Sequence, residues 1–246
     1  MKAPLVQTHG LTLAAAGRTL VRGLDWQAAV GERWCVIGRN AAGKSTLLRA
    51  LAGVGDAALH RDGEVRWLGR PALAWAAADA ANLRAFLPQQ SSDRFPLTVL
   101  RLMELSRVQP RHDARALLAA LDALALAERN VQELSGGERQ RVALAQCAVQ
   151  GAPLMLLDEP VAFQDPAHQL QVAQWLATLD EHALVISTHD VNWVARAATH
   201  VLALLPDGRC EQGPAAALLD AERLARVYGC AWSRVDNDAG RWWVAQ

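Results

Sequence analysis

The chain has 246 residues, 52% of them hydrophobic, and its 25 Lys and Arg residues balance 25 Asp and Glu residues. Zero net charge argues against a nucleic-acid-binding surface built on positive charge, so no nucleic acid partner is expected. The apolar stretches at 72–81 and 142–149 are too short to span a bilayer, and the N-terminus lacks the apolar core of a signal peptide. These features predict a chain that stays in the cytoplasm.

The first third of the chain predicts strands and short helices in alternation. Residues 5–13 and 20–30 predict antiparallel strands joined by a turn at 16–18. A short strand at 33–37 precedes a glycine-rich loop and a helix at 44–51. Strands at 64–68 and 84–87 enclose a predicted helix at 74–83.

The middle of the chain then changes to helical spacing. Helices are predicted at 97–107, 113–126 and 138–149. Strands return at 154–157, 183–187 and 201–205, alternating with helices at 166–179 and 190–198, which is typical of a parallel sheet. A further strand, a helix and a turn at 237–240 follow. The expected fold is an α/β core (residues 1–89 and 151–246) with an inserted all-helical lobe (residues 90–150).

Residues 38–45, GRNAAGKS, match the phosphate-loop pattern G-x-x-x-x-G-K-[ST] in its required context of strand, loop and helix. Backbone N–H groups of such a loop bind phosphate oxygens at a helix N-terminus, a lysine adds a full positive charge and a serine hydroxyl binds Mg²⁺. ATP and Mg²⁺ are therefore the expected cofactors. The predicted nucleotide-binding residues of this loop are Gly38, Asn40, Ala41, Ala42, Gly43, Lys44, Ser45 and Thr46.

Two carboxylates end the apolar run at 154–157. Asp158 is expected to hold Mg²⁺ together with Ser45, and Glu159 is expected to be the general base that orients the attacking water. Adjacent carboxylates at the end of a buried strand need a compensating charge, which Mg²⁺ supplies. The alternative is a solvated Asp-Glu turn before Pro160.

A second glycine-rich stretch, Leu-Ser-Gly-Gly-Glu at 134–138, precedes these carboxylates. Ser135 and Glu138 form a capping-box pattern, so one interpretation is simply a helix start. Capping does not require two glycines, however, and Gly136 and Gly137 let backbone amides approach an anion closely. In this order the three motifs resemble those of the ATP-binding cassette (ABC) ATPases that power ABC transporters.

The resemblance implies a P-loop NTPase core of the ABC ATPase type, a mixed sheet with N-terminal antiparallel strands, and roles for three further residues. Gln89 matches a glutamine that reaches Mg²⁺ and the water, His189 matches a histidine that contacts the γ-phosphate, and Asp165 matches the aspartate of a loop at the dimer interface. The resemblance also implies a head-to-tail homodimer in the ATP-bound state, in which Ser135, Gly136 and Gly137 face the γ-phosphate held by the opposite subunit.

Three positions depart from the family pattern. Ala41 stands where the phosphate loop usually has another glycine, so a small backbone adjustment is expected there. Gln164 replaces the usual leucine before Asp165. Ala15 falls where family members stack adenine on an aromatic ring, which leaves open how adenine is held.

Residues 165–169, residues 224–229 and the short helical lobe resemble the ATPases of importers for metal chelates: cobalamin, ferric siderophores or haem. For residues 228–229, plain helix packing is the alternative. The implied partners are transmembrane permease subunits and, indirectly, a periplasmic solute-binding protein, with the chain peripheral at the cytoplasmic face of the inner membrane. A soluble ABC ATPase acting in repair or translation is the alternative function, and a regulatory module without turnover is a third.

Overall fold

The computed structural model describes residues 3–55, 59–89, 96–106, 113–237 and 240–246. The helices are α1 (Lys44–Leu51), α2 (Ala77–Leu83), α3 (Val99–Leu105), α4 (Ala114–Ala120), α5 (Gly136–Val149), α6 (Pro166–Ala177), α7 (Val191–Ala197), α8 (Ala215–Leu218) and α9 (Ala221–Tyr228). The strands are β1 (Pro4–Ala15), β2 (Arg18–Ala29), β3 (Arg33–Ile37), β4 (His60–Trp67), β5 (Arg70–Pro71), β6 (Arg84–Leu87), β7 (Leu154–Asp158), β8 (Ala183–Ser187), β9 (His200–Leu204), β10 (Cys210–Pro214), β11 (Trp232–Asn237) and β12 (Gly240–Ala245).

The central sheet has the strand order β10-β9-β3-β8-β7-β6. Its strands β9, β3, β8, β7 and β6 are parallel, and β10 pairs antiparallel with β9. Every residue of β7 and β8 is buried, as expected of strands covered on both faces. The predicted α/β class and parallel sheet are confirmed. Because β3 and β7 end at the same edge, the sheet brings the phosphate loop close to the carboxylates after β7.

The N-terminal antiparallel strands form a second sheet with the order β2-β1-β4-β5. Strand β4 begins at His60, four residues before the predicted start, because His60 to Asp62 pair with the far end of β1. The alternation there is broken by Gly63 at φ +77°, whose missing Cβ would lie 2.4 Å from the carbonyl oxygen of Gly10. This bulge explains why the pattern did not reveal the first half of the strand.

Helices α3, α4 and α5 occupy the stretch predicted as a helical lobe. Met103, Leu118 and Leu144 are fully buried, one from each helix, and belong to the same apolar cluster as one face of the central sheet. The predicted helix at 113–126 was wrong at its end: α4 stops at Ala120, and Asp122 has a φ of +51°, which a right-handed helix does not accept. The division of the chain at residues 90 and 150 stays a prediction.

The C-terminal part follows the central sheet. After β10 come α8, α9 and the hairpin β11–β12, whose strands pair with each other. Asp238 and Ala239 of the predicted turn lie outside the described residues. Over the described part of the chain, no helix combines the length and apolarity that crossing a membrane requires.

Candidate active site

The phosphate loop connects β3 to α1, and its shape depends on Gly43. Gly43 has a φ of +102°, and a Cβ there would lie 2.8 Å from the Cβ of Leu20, so both backbone conformation and space require glycine. Ala41 also lies in the left-handed region, with a φ of +59°. The departure at Ala41 therefore falls at a position where glycine would be unstrained, and the loop keeps its turn with alanine.

Lys44 is the first residue of α1, and its side chain folds back over the loop. Its Nζ donates to the carbonyl oxygens of Gly38 at 2.9 Å and Arg39 at 3.2 Å, although the residue is only 8% exposed. Burial lowers the pKa of Lys44, and the carboxylates of Glu159 and Asp158 act in the opposite direction. The ammonium is thus held inside the concave face of the loop, near two negative groups.

A cavity of about 520 Å³ opens in front of the loop. It is lined by Leu20, Asn40, Ala41, Ala42, Gly43, Lys44, Ser45, Thr46, Gln89 and Glu159. A volume of this size lies within the range of small-molecule and cofactor sites. Most of the residues predicted to bind nucleotide therefore share one concave surface with the predicted base.

Asp158, at the end of β7, faces Ser45 at the start of α1. The Ser45 hydroxyl donates to Asp158 Oδ1 at 3.1 Å, and the hydroxyl of Ser187 donates to the same oxygen. Asp158 is 2% exposed. Among the described residues no group of three or more His, Cys, Asp or Glu could hold a metal by itself. The oxygens present fit Mg²⁺, which binds through one or two protein oxygens, substrate phosphates and waters.

Glu159 is buried, 7% exposed, and has a φ of +51°, a strained conformation for a residue with a side chain. Its backbone N–H donates to Ser187 Oγ at 3.0 Å, and its carbonyl oxygen accepts from Gln140 Nε2 at 3.0 Å. These two hydrogen bonds, one on each side, hold the strained turn in place. The Cα of Glu159, from which its side chain extends, is therefore held in a fixed position at the edge of the cavity.

The Glu159 carboxylate contacts His189, which follows β8. The distance from His189 Nδ1 to Glu159 Oε2 is 3.1 Å, and the His189 side chain is 68% exposed. Burial raises the pKa of Glu159, while His189 and Lys44 lower it. Gln89 is exposed and lines the same cavity. The structure thus brings Glu159, His189, Gln89, Lys44 and Asp158 together.

The Leu-Ser-Gly-Gly-Glu stretch forms the start of α5, two residues earlier than predicted. The capping box is complete: Glu138 N–H donates to Ser135 Oγ at 3.3 Å, and Ser135 N–H donates to Glu138 Oε2 at 2.8 Å. The hydrogen bond from the Ser135 N–H to the carboxylate lowers the pKa of Glu138. Ser135, Gly136 and Gly137 do not belong to the lining of the described cavity. Their expected contact with an anion stays a prediction.

Asp165 caps helix α6. Its Oδ1 accepts from His168 N–H at 3.0 Å and its Oδ2 lies 2.9 Å from His168 Nδ1. The backbone N–H of His168 and then its side chain lower the pKa of Asp165. Asp165, like the α5 start, does not line the cavity, so the interface role stays a prediction.

Ala15 is the last residue of β1 and is half-buried. The cavity lining contains Leu20, on the neighbouring strand, but not Ala15. The aliphatic side chain of Leu20 therefore lines the cavity and offers an apolar contact to a ligand.

Besides Leu20, three residues at or near the site were not found from the sequence. Ser187 bonds both carboxylate residues, Gln140 bonds the Glu159 carbonyl, and Phe163 contacts the glycines of α5. Ser187 lies two residues before His189, and this closeness in sequence was the one indication that Ser187 belongs to the site. The contacts of Gln140 and Phe163 join elements that are distant along the chain, so no local pattern indicates them.

The sequence matches the family described as ABC transporter over residues 21–162, more than half of the chain. It is 36% identical to the hemin import ATP-binding protein HmuV of Vibrio cholerae, covering 93% of each chain, and 40% identical to the protein of the same name from Nocardia farcinica, covering 91% of this chain and 82% of the relative.

Two solved structures share the fold. One is of an ABC transporter assigned to the metal-chelate type, in an inward-facing conformation: TM-score 0.80, 23% identity, 99% of this chain and 98% of the other. The second, a bacterial Atm1-family ABC exporter with ATP bound, has a TM-score of 0.78 and 24% identity over 91% of this chain and 42% of its own length. With the phosphate loop, the acidic pair and the Ser-Gly-Gly-Glu helix start in place, the chain belongs to the ABC transporter family.

Proposed function

We propose that this chain is the ATP-binding and ATP-hydrolysing subunit of an ABC importer for a metal chelate, with haem as the first candidate. The observation that carries the ATPase activity is that Lys44, Ser45 and Glu159 line one cavity in front of the phosphate loop, with Asp158 hydrogen-bonded to Ser45. The importer assignment is supported by relatives named for hemin import. Cobalamin and ferric siderophores remain in the same substrate class.

The phosphate loop binds the triphosphate. Residues 40–46 line the cavity at the start of α1, where free backbone N–H groups of the loop would bind phosphate oxygens, and Lys44 adds a positive charge whose position is fixed by Gly38 and Arg39. Ser45 Oγ, Asp158 and Gln89 are the groups that would hold Mg²⁺, which neutralises phosphate charge when bound. Asp158 is buried, and the hydroxyls of Ser45 and Ser187 orient its carboxylate.

Glu159 orients the attacking water and accepts its proton. Since Oε2 contacts His189, we assign the proton-accepting role to Oε1. A raised pKa makes this carboxylate a stronger base, and the nearby Lys44 and His189 favour its ionised form. His189 is largely exposed and contacts Glu159, and we assign it the contact with the γ-phosphate.

Two chains are proposed to pair head-to-tail around two ATP molecules. Ser135, Gly136 and Gly137 then complete the site of the opposite copy, and Asp165 lies at the interface. Support comes from their position outside the chain's own cavity: Ser135, Gly136 and Asp165 are exposed, and α5 begins with the backbone N–H groups of Gly136 and Gly137. Transmembrane permease subunits hold the dimer at the cytoplasmic face of the membrane, with a periplasmic solute-binding protein delivering the chelate.

The experiment is affinity purification of the chain from native membranes, followed by mass spectrometry and reconstitution of the complex in proteoliposomes. A stoichiometric multi-span membrane protein is expected, with ATP hydrolysis stimulated by hemin in the presence of its binding protein. Stimulation by cobalamin or a ferric siderophore instead would change the solute. Recovery of only ribosomal or DNA-associated proteins would favour the soluble ABC ATPase.

A further inference from the structure

The C-terminal segment, defined here as α9 and the hairpin β11–β12, has no part in the proposed function. It lies outside the matched family region, which ends at residue 162. The hairpin strands pair with each other and extend neither of the other sheets. An isolated two-stranded hairpin is marginal in water, so its order depends on the elements against which it packs. One of those elements is the phosphate loop, and the other, α7, begins two residues after His189.

The first contact is with helix α7. Asn192 makes two hydrogen bonds with the backbone of Trp243: Trp243 N–H donates to Asn192 Oδ1 at 2.7 Å, and Asn192 Nδ2 donates to the Trp243 carbonyl at 3.0 Å. A single side chain thus pairs with the hairpin as another strand would. Trp243 is buried, 5% exposed, so the contact is shielded from water.

Asn192 is also hydrogen-bonded to Asp190, the residue that follows His189. Its backbone N–H and that of Trp193 donate to Asp190 Oδ1 at 2.8 and 2.9 Å, which caps α7. His189 in turn lies 3.1 Å from the Glu159 carboxylate. The chain of contacts from the hairpin to the proposed base therefore passes through Asn192.

The second contact is with the phosphate loop. Tyr228, the last residue of α9, has a buried hydroxyl without a well-formed hydrogen bond, and that hydroxyl lies beside the backbone N–H of Gly38. Burial raises the pKa of Tyr228, and the Gly38 amide opposes this. The next residue, Gly229, has a φ of +77°, and a Cβ there would lie 3.7 Å from Arg39 Nη1. The Tyr228 ring pairs with Trp232 of the hairpin at 5.3 Å.

We infer that the C-terminal segment positions the catalytic site at two points: Asn192 fixes the start of α7 and hence His189, and Tyr228 supports the Gly38 end of the phosphate loop. This rests on the proposed function for the role of His189. Both are positioning residues, because neither lines the cavity. A hairpin that only packs would affect stability and leave turnover unchanged.

The test compares three variants in the full chain. Asn192→Leu removes both hydrogen bonds and keeps the number and branching of the side-chain heavy atoms, and Tyr228→Phe removes only a hydroxyl. Arg196→Leu is the matched control. The Arg196 guanidinium lies 4.4 Å over the Trp242 ring, so this substitution should loosen the same hairpin at the other end of α7. Thermal unfolding, kcat and KM for ATP, and hydrogen–deuterium exchange are measured for each.

We expect Asn192→Leu to lower kcat about three- to tenfold with KM little changed, the range that one or two hydrogen bonds account for. Tyr228→Phe should raise KM about threefold, because the Gly38 N–H loses the oxygen beside it. Arg196→Leu should lower the melting temperature without changing either constant. If Asn192→Leu and Arg196→Leu have the same effect on kcat, the inference is wrong.

If the wild-type chain hydrolyses no ATP, the proposed function fails by itself. The inference then stands only if exchange rises at residues 186–194 in Asn192→Leu and at 36–46 in Tyr228→Phe, and in neither stretch in Arg196→Leu.

Discussion

The two adjacent glycines at the start of α5 differ in the space around them, which makes a sharp prediction. A Cβ at Gly137 would lie 2.8 Å from the backbone carbonyl oxygen of Phe163, whereas a Cβ at Gly136 would lie 3.6 Å from the Phe163 Cβ, an ordinary contact. Both glycines are helical, and alanine stabilises a helical position by about 0.5–1 kcal/mol relative to glycine. At Gly136 nothing opposes this gain.

At Gly137 the gain is opposed by a backbone atom that cannot rotate away. Overpacking costs about 1–3 kcal/mol, so Gly137→Ala should be less stable than Gly136→Ala by roughly that amount. For a chain of this size, 1 kcal/mol corresponds to about 2–4 °C in melting temperature. We expect Gly136→Ala to melt at or slightly above the wild-type temperature and Gly137→Ala several degrees below it.

Thermal unfolding without nucleotide is the assay that separates the two variants. Hydrolysis can fall in both, because both amides are proposed to face phosphate in the dimer. In Gly137→Ala the displaced Phe163 should also disturb the turn beginning at Glu159, whose carbonyl is held by Gln140. Equal melting temperatures, or a lower one for Gly136→Ala, would refute the packing argument.

Three further substitutions test the site. Lys44→Ala should weaken ATP binding at least tenfold in a titration, since a hydrogen bond to a charged group contributes about 1.5–3 kcal/mol; unchanged affinity would exclude Lys44 from the phosphate site. Ala41→Gly relieves a left-handed alanine, a gain of about 1–2 kcal/mol from which the chain entropy of glycine removes about 0.5–1 kcal/mol, so a net gain of about 0.5–1 kcal/mol should raise the melting temperature by roughly 1–4 °C; a decrease would contradict this account of the loop. Ser187→Ala should lower kcat about tenfold with KM little changed, because its hydroxyl joins Asp158 to the Glu159 N–H; an unaltered kcat would mean that Ser187 is not needed.

Structural features that depend on a few neighbouring residues were predicted well from the sequence. The phosphate loop, the buried strand before Asp158 and the Ser135 cap each depend on residues within a few positions of one another, and strand, loop and helix follow as expected. The parallel sheet followed from alternation of strands and helices. The ends of elements were less predictable, as α4 shows: Asp122 takes a positive φ that no residue type in that stretch demands.

Contacts between distant segments were not predictable. Gln140 reaches the Glu159 carbonyl only because α5 packs beside the turn after β7, and Asn192 reaches Trp243 across 51 residues. The hairpin strands β11 and β12 are short, and their polar and apolar residues do not alternate regularly, so the sequence pattern did not indicate their pairing. The sequence places Ser187 close to His189, but its hydrogen bonds with both Asp158 and Glu159 depend on the register between β8 and β7. That register places Asp158 opposite Ser187.

The most direct test of the account is the rate of ATP hydrolysis by Glu159→Gln, measured beside ATP binding and beside Glu181→Gln, an exposed carboxylate as control. If Glu159 is the general base, the variant should bind ATP, accumulate as the ATP-bound dimer and lose about 10²–10⁴-fold in turnover, while Glu181→Gln keeps the wild-type rate. A Glu159→Gln chain that hydrolyses ATP at the wild-type rate would contradict the assignment of the catalytic carboxylate.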